Sequence, residues 1–157
     1  MAGIGNSMYD SIEVSASGLS AERLAMDVIA NNLANVNTTR TPEGGAFKRQ
    51  LVVFAQKQEQ TDSPNLDPLD TSSTDDPASS RDGVSVVGIV QDPGPDRMVY
   101  DPTHPDADAN GYVHMPNIDV VKEMVDMIAA SRAYQANVTA IQESRNMGNA
   151  ALNLLKS

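Results

Sequence analysis

The chain has 157 residues, room for one domain or for a small domain with extended elements. Its formal net charge of -10 argues against a nucleic-acid partner and against docking on anionic lipid. There is no cysteine, so disulfides, thiolate metal sites and cysteine nucleophiles are excluded. With no tryptophan and two phenylalanines, any core must come from Val, Ile, Leu, Met and Ala. No apolar run approaches the roughly eighteen residues of a membrane span, and the opening Met1 to Ser7 lacks a basic stretch leading into an apolar run, so no cleavable secretory signal is expected.

Residues 8–36 read as a long helix. Ile12, Leu19, Met26 and Leu33 recur every seven residues, with Ala16, Ile29, Ala30 and Val36 on the same face. The helix runs into a cluster of Asn31, Asn32, Asn35 and Asn37. Asparagine favours caps and turns, so the cluster marks a helix end. It also fits a second reading, in which some of these amides bond across helices and fix register. Thr38 to Gly45 is a turn-rich connection, and Phe47 to Phe54 reads as a strand that would place Phe47 and Leu51 on one face. Residues 56–80 are Gln, Ser, Thr, Asp and Pro with little to bury, and are expected to be a disordered polar loop. Gly83 to Val90 is a strong strand, Arg97 to Tyr100 a short one, and Asp101 to Asn110 a Pro/Asp loop.

The last stretch, from Pro116 to Lys156, reads as one helix of about 57 Å for about 38 residues. Val120, Met127, Tyr134, Ile141, Gly148 and Leu155 form one heptad row, and Met124, Ser131, Val138, Arg145 and Leu152 a second. Alternating steps of four and three put both rows on one stripe, the signature of a coiled-coil seam. An ordinary bundle helix with small residues at close contacts fits the same pattern. Asn117 is the expected N-cap, with Asp119 and Glu123 favoured by the helix dipole. Ser131, Arg145 and Gly148 weaken the seam, so the helix is expected to need a partner laid against it.

Few motifs carry chemistry. Asp106, Asp108, Asn110 and Gly111 resemble the first half of a calcium-binding loop, but the twelfth position is Asn117 where a bidentate glutamate is needed. A turn whose Asp and Asn side chains satisfy local backbone groups is the better account, with a calcium-binding module kept as the alternative. His104 and His114, ten residues apart across prolines, fit no usual ligand spacing. No phosphate-cradling loop or nucleophile elbow is present, so neither an enzyme nor a small-molecule substrate nor a cofactor is expected.

The run 17–35 (SGLSAERLAMDVIANNLAN), Val121 to Met124, and Arg132 to Asn137 together resemble the flagellar rod and hook family of axial proteins. Gly44 to Gln50 and His104 to Val113 narrow the likeness to a proximal-rod member. The resemblance implies an α+β fold: residues 1–37 and 116–157 form terminal helices that pair as a coiled coil, and 38–115 form a small β-rich middle domain. It further implies a structural subunit, exported by the flagellar type III system and polymerising through its terminal helices to transmit torque. Its place would be the basal body, in the envelope outside the cytoplasmic membrane. Its partners would be other copies, other rod proteins, and basal-body ring and export-gate components. On this reading the subunit interfaces would draw on Ile12, Leu19, Met26, Ile29, Asn31, Asn32, Leu33 and Asn35, and on Val120, Met124, Met127, Tyr134, Asn137, Val138, Ile141, Leu152 and Leu155. Phe47 and Leu51 match the Phe-x-x-x-hydrophobic pattern that related subunits present to the export gate. A free adaptor binding a partner coiled coil outside the flagellum is the remaining alternative.

Overall fold

The computed structural model describes residues 3–57 and 83–154. Helix α1 spans Gly3–Ala34 and helix α2 spans Val120–Leu154. Between them lie β1 (Gln50–Lys57), β2 (Gly83–Gln91), β3 (Arg97–Tyr100) and β4 (Tyr112–Met115). The strands form two separate antiparallel pairs, β1 with β2 and β3 with β4, so the middle is two ribbons rather than one sheet. The fold is α+β. No helix among the described residues is long and apolar enough to cross a membrane.

The two helices pack antiparallel, and the close contacts keep step. Ser11 and Ser144 bring their hydroxyl oxygens to 3.4 Å. Seven residues further along α1 and seven back along α2, a Cβ on Gly18 would sit 2.8 Å from Asn137 Nδ2. Fourteen residues beyond that pair, Asn32 Nδ2 donates to Glu123 Oε2 at 3.0 Å. Ala25 and Ala130 hold the intervening register position. The inward row of α2 is therefore Glu123, Ala130, Asn137 and Ser144, beside Met127, Tyr134, Ile141 and Gly148.

This corrects the second seam row expected from the sequence. Met124 and Leu152 are more than half exposed, and Arg145 is exposed too. Val120, at the start of the first row, is also exposed, and Val138 and Ser131 are half-buried flanking positions. On α1 the fully buried residues are Ala21, Val28 and Asn32, while Ile12, Leu19, Met26, Ile29 and Leu33 flank them half-buried. Small side chains occupy the line of closest approach because the helices come too near for large ones. Leu155 lies outside the described residues.

The helix ends also differ from expectation. The cap of α2 is Asp119 rather than Asn117: its Oδ1 accepts from the Val121 N–H at 2.9 Å and the Lys122 N–H at 3.4 Å. At the other end of the chain, α1 begins five residues earlier than read and stops at Ala34. Asn35 Nδ2 donates to the Asn31 carbonyl at 2.9 Å, and Thr38 Oγ1 donates to Asn35 Oδ1 at 3.2 Å.

The β1–β2 ribbon lies along α1. Asn31 Nδ2 reaches Gln50 Oε1 at 3.1 Å at one end, and the Val84 N–H donates to Ser17 Oγ at 3.0 Å nearer the other. Gly83 is needed there, since a Cβ would fall 2.6 Å from that hydroxyl. β1 begins at Gln50, so Phe47 lies ahead of the strand, with its N–H donating to the Thr38 carbonyl, and does not share a strand face with Leu51. Gln56 and Lys57, read as part of the polar loop, pair with Val84 and Gly83. The rest of that loop, 58–80, is outside the described residues.

β3 and β4 are joined by the Pro/Asp loop and held by the rings of Tyr100 and Tyr112, edge to face at 5.3 Å. Gly111 takes φ +79° there, and a Cβ would lie 3.0 Å from the Tyr100 ring.

Candidate functional site: a buried polar node joining both helices

One cluster ties the layers together. Glu123 is 1% exposed and faces α1. The guanidinium of Arg49, just ahead of β1, donates to its Oε1 through Nε at 2.6 Å, and Nη2 forms an ion pair with the same oxygen at 2.6 Å. Its other oxygen takes Asn32 Nδ2. Asn32 is equally buried. Its second amide hydrogen goes to the Gln50 carbonyl at 2.9 Å, and its Oδ1 accepts the Gln50 N–H at 2.9 Å. The side chain thus pairs with a strand backbone as a neighbouring strand would.

Arg49 also lies 3.8 Å from Asp92 and 3.6 Å from Asp126. The Arg49 carbonyl accepts the Asp92 N–H at 2.8 Å. No buried side-chain nitrogen or oxygen among the described residues lacks a hydrogen-bond partner. A buried charge costs several kcal/mol unless paired and fully bonded, roughly the condition met here. Glu123 lies in the first turn of α2, as expected, and is also the centre of the node. The two readings of the asparagine cluster divide between residues: Asn35 closes the helix, while Asn32 bonds across to α2.

The other expected site residues scatter. Asp106 Oδ2 accepts the Thr39 hydroxyl at 2.8 Å, and Asp108 Oδ1 accepts the N–H groups of Asn110 and Tyr112 at 2.8 and 2.9 Å. His104 Nδ1 accepts the Asp106 N–H, and His114 stands 4.0 Å from Asp96. No group of three or more His, Cys, Asp or Glu among the described residues is placed to hold a metal ion. These carboxylates organise the loop. The backbone N–H groups of Tyr112 and Asn110 hold the Asp108 carboxyl below its ordinary pKa. A depressed folded pKa means that the turn gains stability above the unfolded value and loses it as pH falls through the folded one. The protection factors of the Asn110 and Tyr112 amides, which correct for the intrinsic pH dependence of exchange, are expected in NMR to fall only on acidification below the usual carboxylate range.

The sequence does not mark Arg49 as a site residue, and it marks Glu123 only as an anion at the start of the helix. The available signal was Glu123 standing four residues before Met127, in step with the inward row. Asn32 and Glu123, with most of the two helices that carry them, fall where known families match. Residues 12–40 match the family described as "Flagella basal body rod protein", and residues 109–154 match "Flagellar basal body rod FlgEFG protein C-terminal". Both ends of the molecule are thus those of a flagellar rod-type axial protein. Several relatives share the description "Flagellar basal-body rod protein FlgC". One from Borreliella burgdorferi is 44% identical, over 95% of this chain and 98% of its own length. One from Bacillus subtilis is 40% identical over 94% and 98%, and one from Salmonella typhimurium 36% over 86% and 88%. The chain belongs to the FlgC family of flagellar basal-body rod proteins. Membership carries a structural role in the rod of the basal body.

Proposed function

We propose that the chain is a building block of the proximal rod, polymerising through its terminal helices. Within one subunit α1 and α2 pair as a coiled coil. Between subunits, the outer faces of the same helices meet other copies and other rod proteins, and the basal-body ring encloses the assembly outside the cytoplasmic membrane. The stiff helix layer transmits torque.

The observation that supports this reading is a second stripe on α2. Val121, Met124, Val125 and Ile128 are 70%, 54%, 59% and 53% exposed, on the side of the helix turned away from α1. Four large apolar side chains left to water at helical spacing mark an interaction face. Among the residues read as interface, Val120, Met124 and Leu152 are free to serve there, while Tyr134, Asn137 and Ile141 are turned to the intramolecular seam. Val125→Asp and Ile128→Asp are expected to leave the helical circular dichroism of the purified chain unchanged and to abolish rod formation and swimming in a complemented deletion strain. Normal swimming with both substitutions overturns the proposal.

Export by the flagellar type III gate completes the reading, with Phe47 and Leu51 as its signal. Phe47→Ala with Leu51→Ala is expected to lower the amount of chain secreted by a strain that cannot complete the rod, at unchanged cytoplasmic levels. Undiminished secretion removes these two residues from the signal.

A further inference from the structure

The contacts between α1 and α2 pose a problem of register. Along the line of closest approach stand Ser11, Gly18 and Ala25 on one helix and Ala130, Asn137 and Ser144 on the other. None is a large knob that fits a single hole. Sliding α2 by one heptad would set Gly18 against Ser144 and Ala25 against Asn137, small against small, and would keep Met127, Tyr134 and Ile141 on the same face. Sterics alone therefore permit more than one alignment.

The node does not. A one-heptad slide would carry Glu123 away from Asn32 and set Asn32 against Ala130. Arg49 cannot follow, because Asn32 grips the backbone of the adjacent Gln50 through both its amide hydrogen and its oxygen. The Glu123 carboxylate would then be left buried without its two partners. We propose that the register of the terminal helices is fixed by the Asn32–Glu123–Arg49 node and not by the seam. Because two of the contacts run through Arg49 and Gln50, docking of the β1–β2 ribbon selects the alignment of the helix pair. The ribbon acts as a positioning element for the helices, in addition to resting on them. The inference concerns contacts within one chain, so it stands or falls separately from rod assembly.

The natural absence of cysteine makes the test direct. The full-length chain carries either Ser11→Cys with Ser144→Cys, which reports the observed register, or Ala25→Cys with Asn137→Cys, which reports that slide of one heptad. Disulfide yield under a mild oxidant is read from gel mobility. In the parent background the first pair is expected to close at least about tenfold more than the second, the ratio of a single dominant state. With Asn32→Leu, Arg49→Met and Glu123→Leu introduced together, helical circular dichroism is expected to persist, and the shifted pair to close to within about threefold of the observed one. Closure of the observed pair alone, at the parental ratio, overturns the proposal. Should the triple substitution lose its helical signal, Glu123→Gln, which keeps the shape of the side chain, is read the same way. Mixed closure then supports the node, and exclusive closure of the observed pair overturns it.

Discussion

Replacing Arg49 by methionine is expected to lower the unfolding free energy by about 3–5 kcal/mol, the range for removing one partner of a buried ion pair. Methionine keeps an unbranched apolar stem like that of arginine and removes the charged guanidinium, so the loss is mainly electrostatic. Glu123, 1% exposed, would keep Asn32 and lose the Nε hydrogen bond and the Nη2 ion pair at Oε1. Asp92 and Asp126, already within 4 Å of the same guanidinium, would then face the glutamate across an uncompensated gap. Urea denaturation followed by circular dichroism measures the loss. A change under about 1 kcal/mol, the value of an exposed pair, would mean that the node is solvated and carries little of the fold.

Gly18→Leu is expected to have the second-largest effect. The Cβ alone would meet Asn137 Nδ2 at 2.8 Å and its Cγ at 3.3 Å. The atom met is the end of a flexible side chain, so Gly18→Ala is expected to be near neutral: relief from glycine's helix penalty, about 1 kcal/mol, offsets the crowding. Leucine fills the space between the backbones and forces them apart, at about 1–3 kcal/mol for overpacking. The separation would also weaken the Ser11–Ser144 contact one heptad away. Paired melts of the alanine and leucine variants check the contrast. Equal melting temperatures would show that the helices are not in close contact at Gly18.

The outline of the molecule was legible from the sequence because long-period and short-period signals are local. Heptads of apolar residues announced both helices, and the runs Gly83 to Val90 and Arg97 to Tyr100 announced their strands. What stayed hidden was which edge of each heptad stripe faces inward. Periodicity weighs large apolar residues, so Leu19, Met26 and Met124 drew the eye. The contact itself selects Gly18, Ala130 and Ser144, whose smallness is the qualification and whose hydropathy is unremarkable. The node was hidden for a different reason. Arg49 and Glu123 lie 74 residues apart, and nothing near either one in the chain signals a partner. Asn32 was the exception, since an amide cluster exceeding the needs of helix termination already pointed across to another element.

The paired bonds from Asn32 to the Gln50 backbone have a mechanical meaning. A side chain that borrows the hydrogen-bonding pattern of a neighbouring strand turns the root of the ribbon into a continuation of the helix end, with no swivel between them. Any rotation imposed on the helix layer would arrive in the ribbon at the same angle, without slack. Such a weld keeps the ribbon and the helix pair in phase.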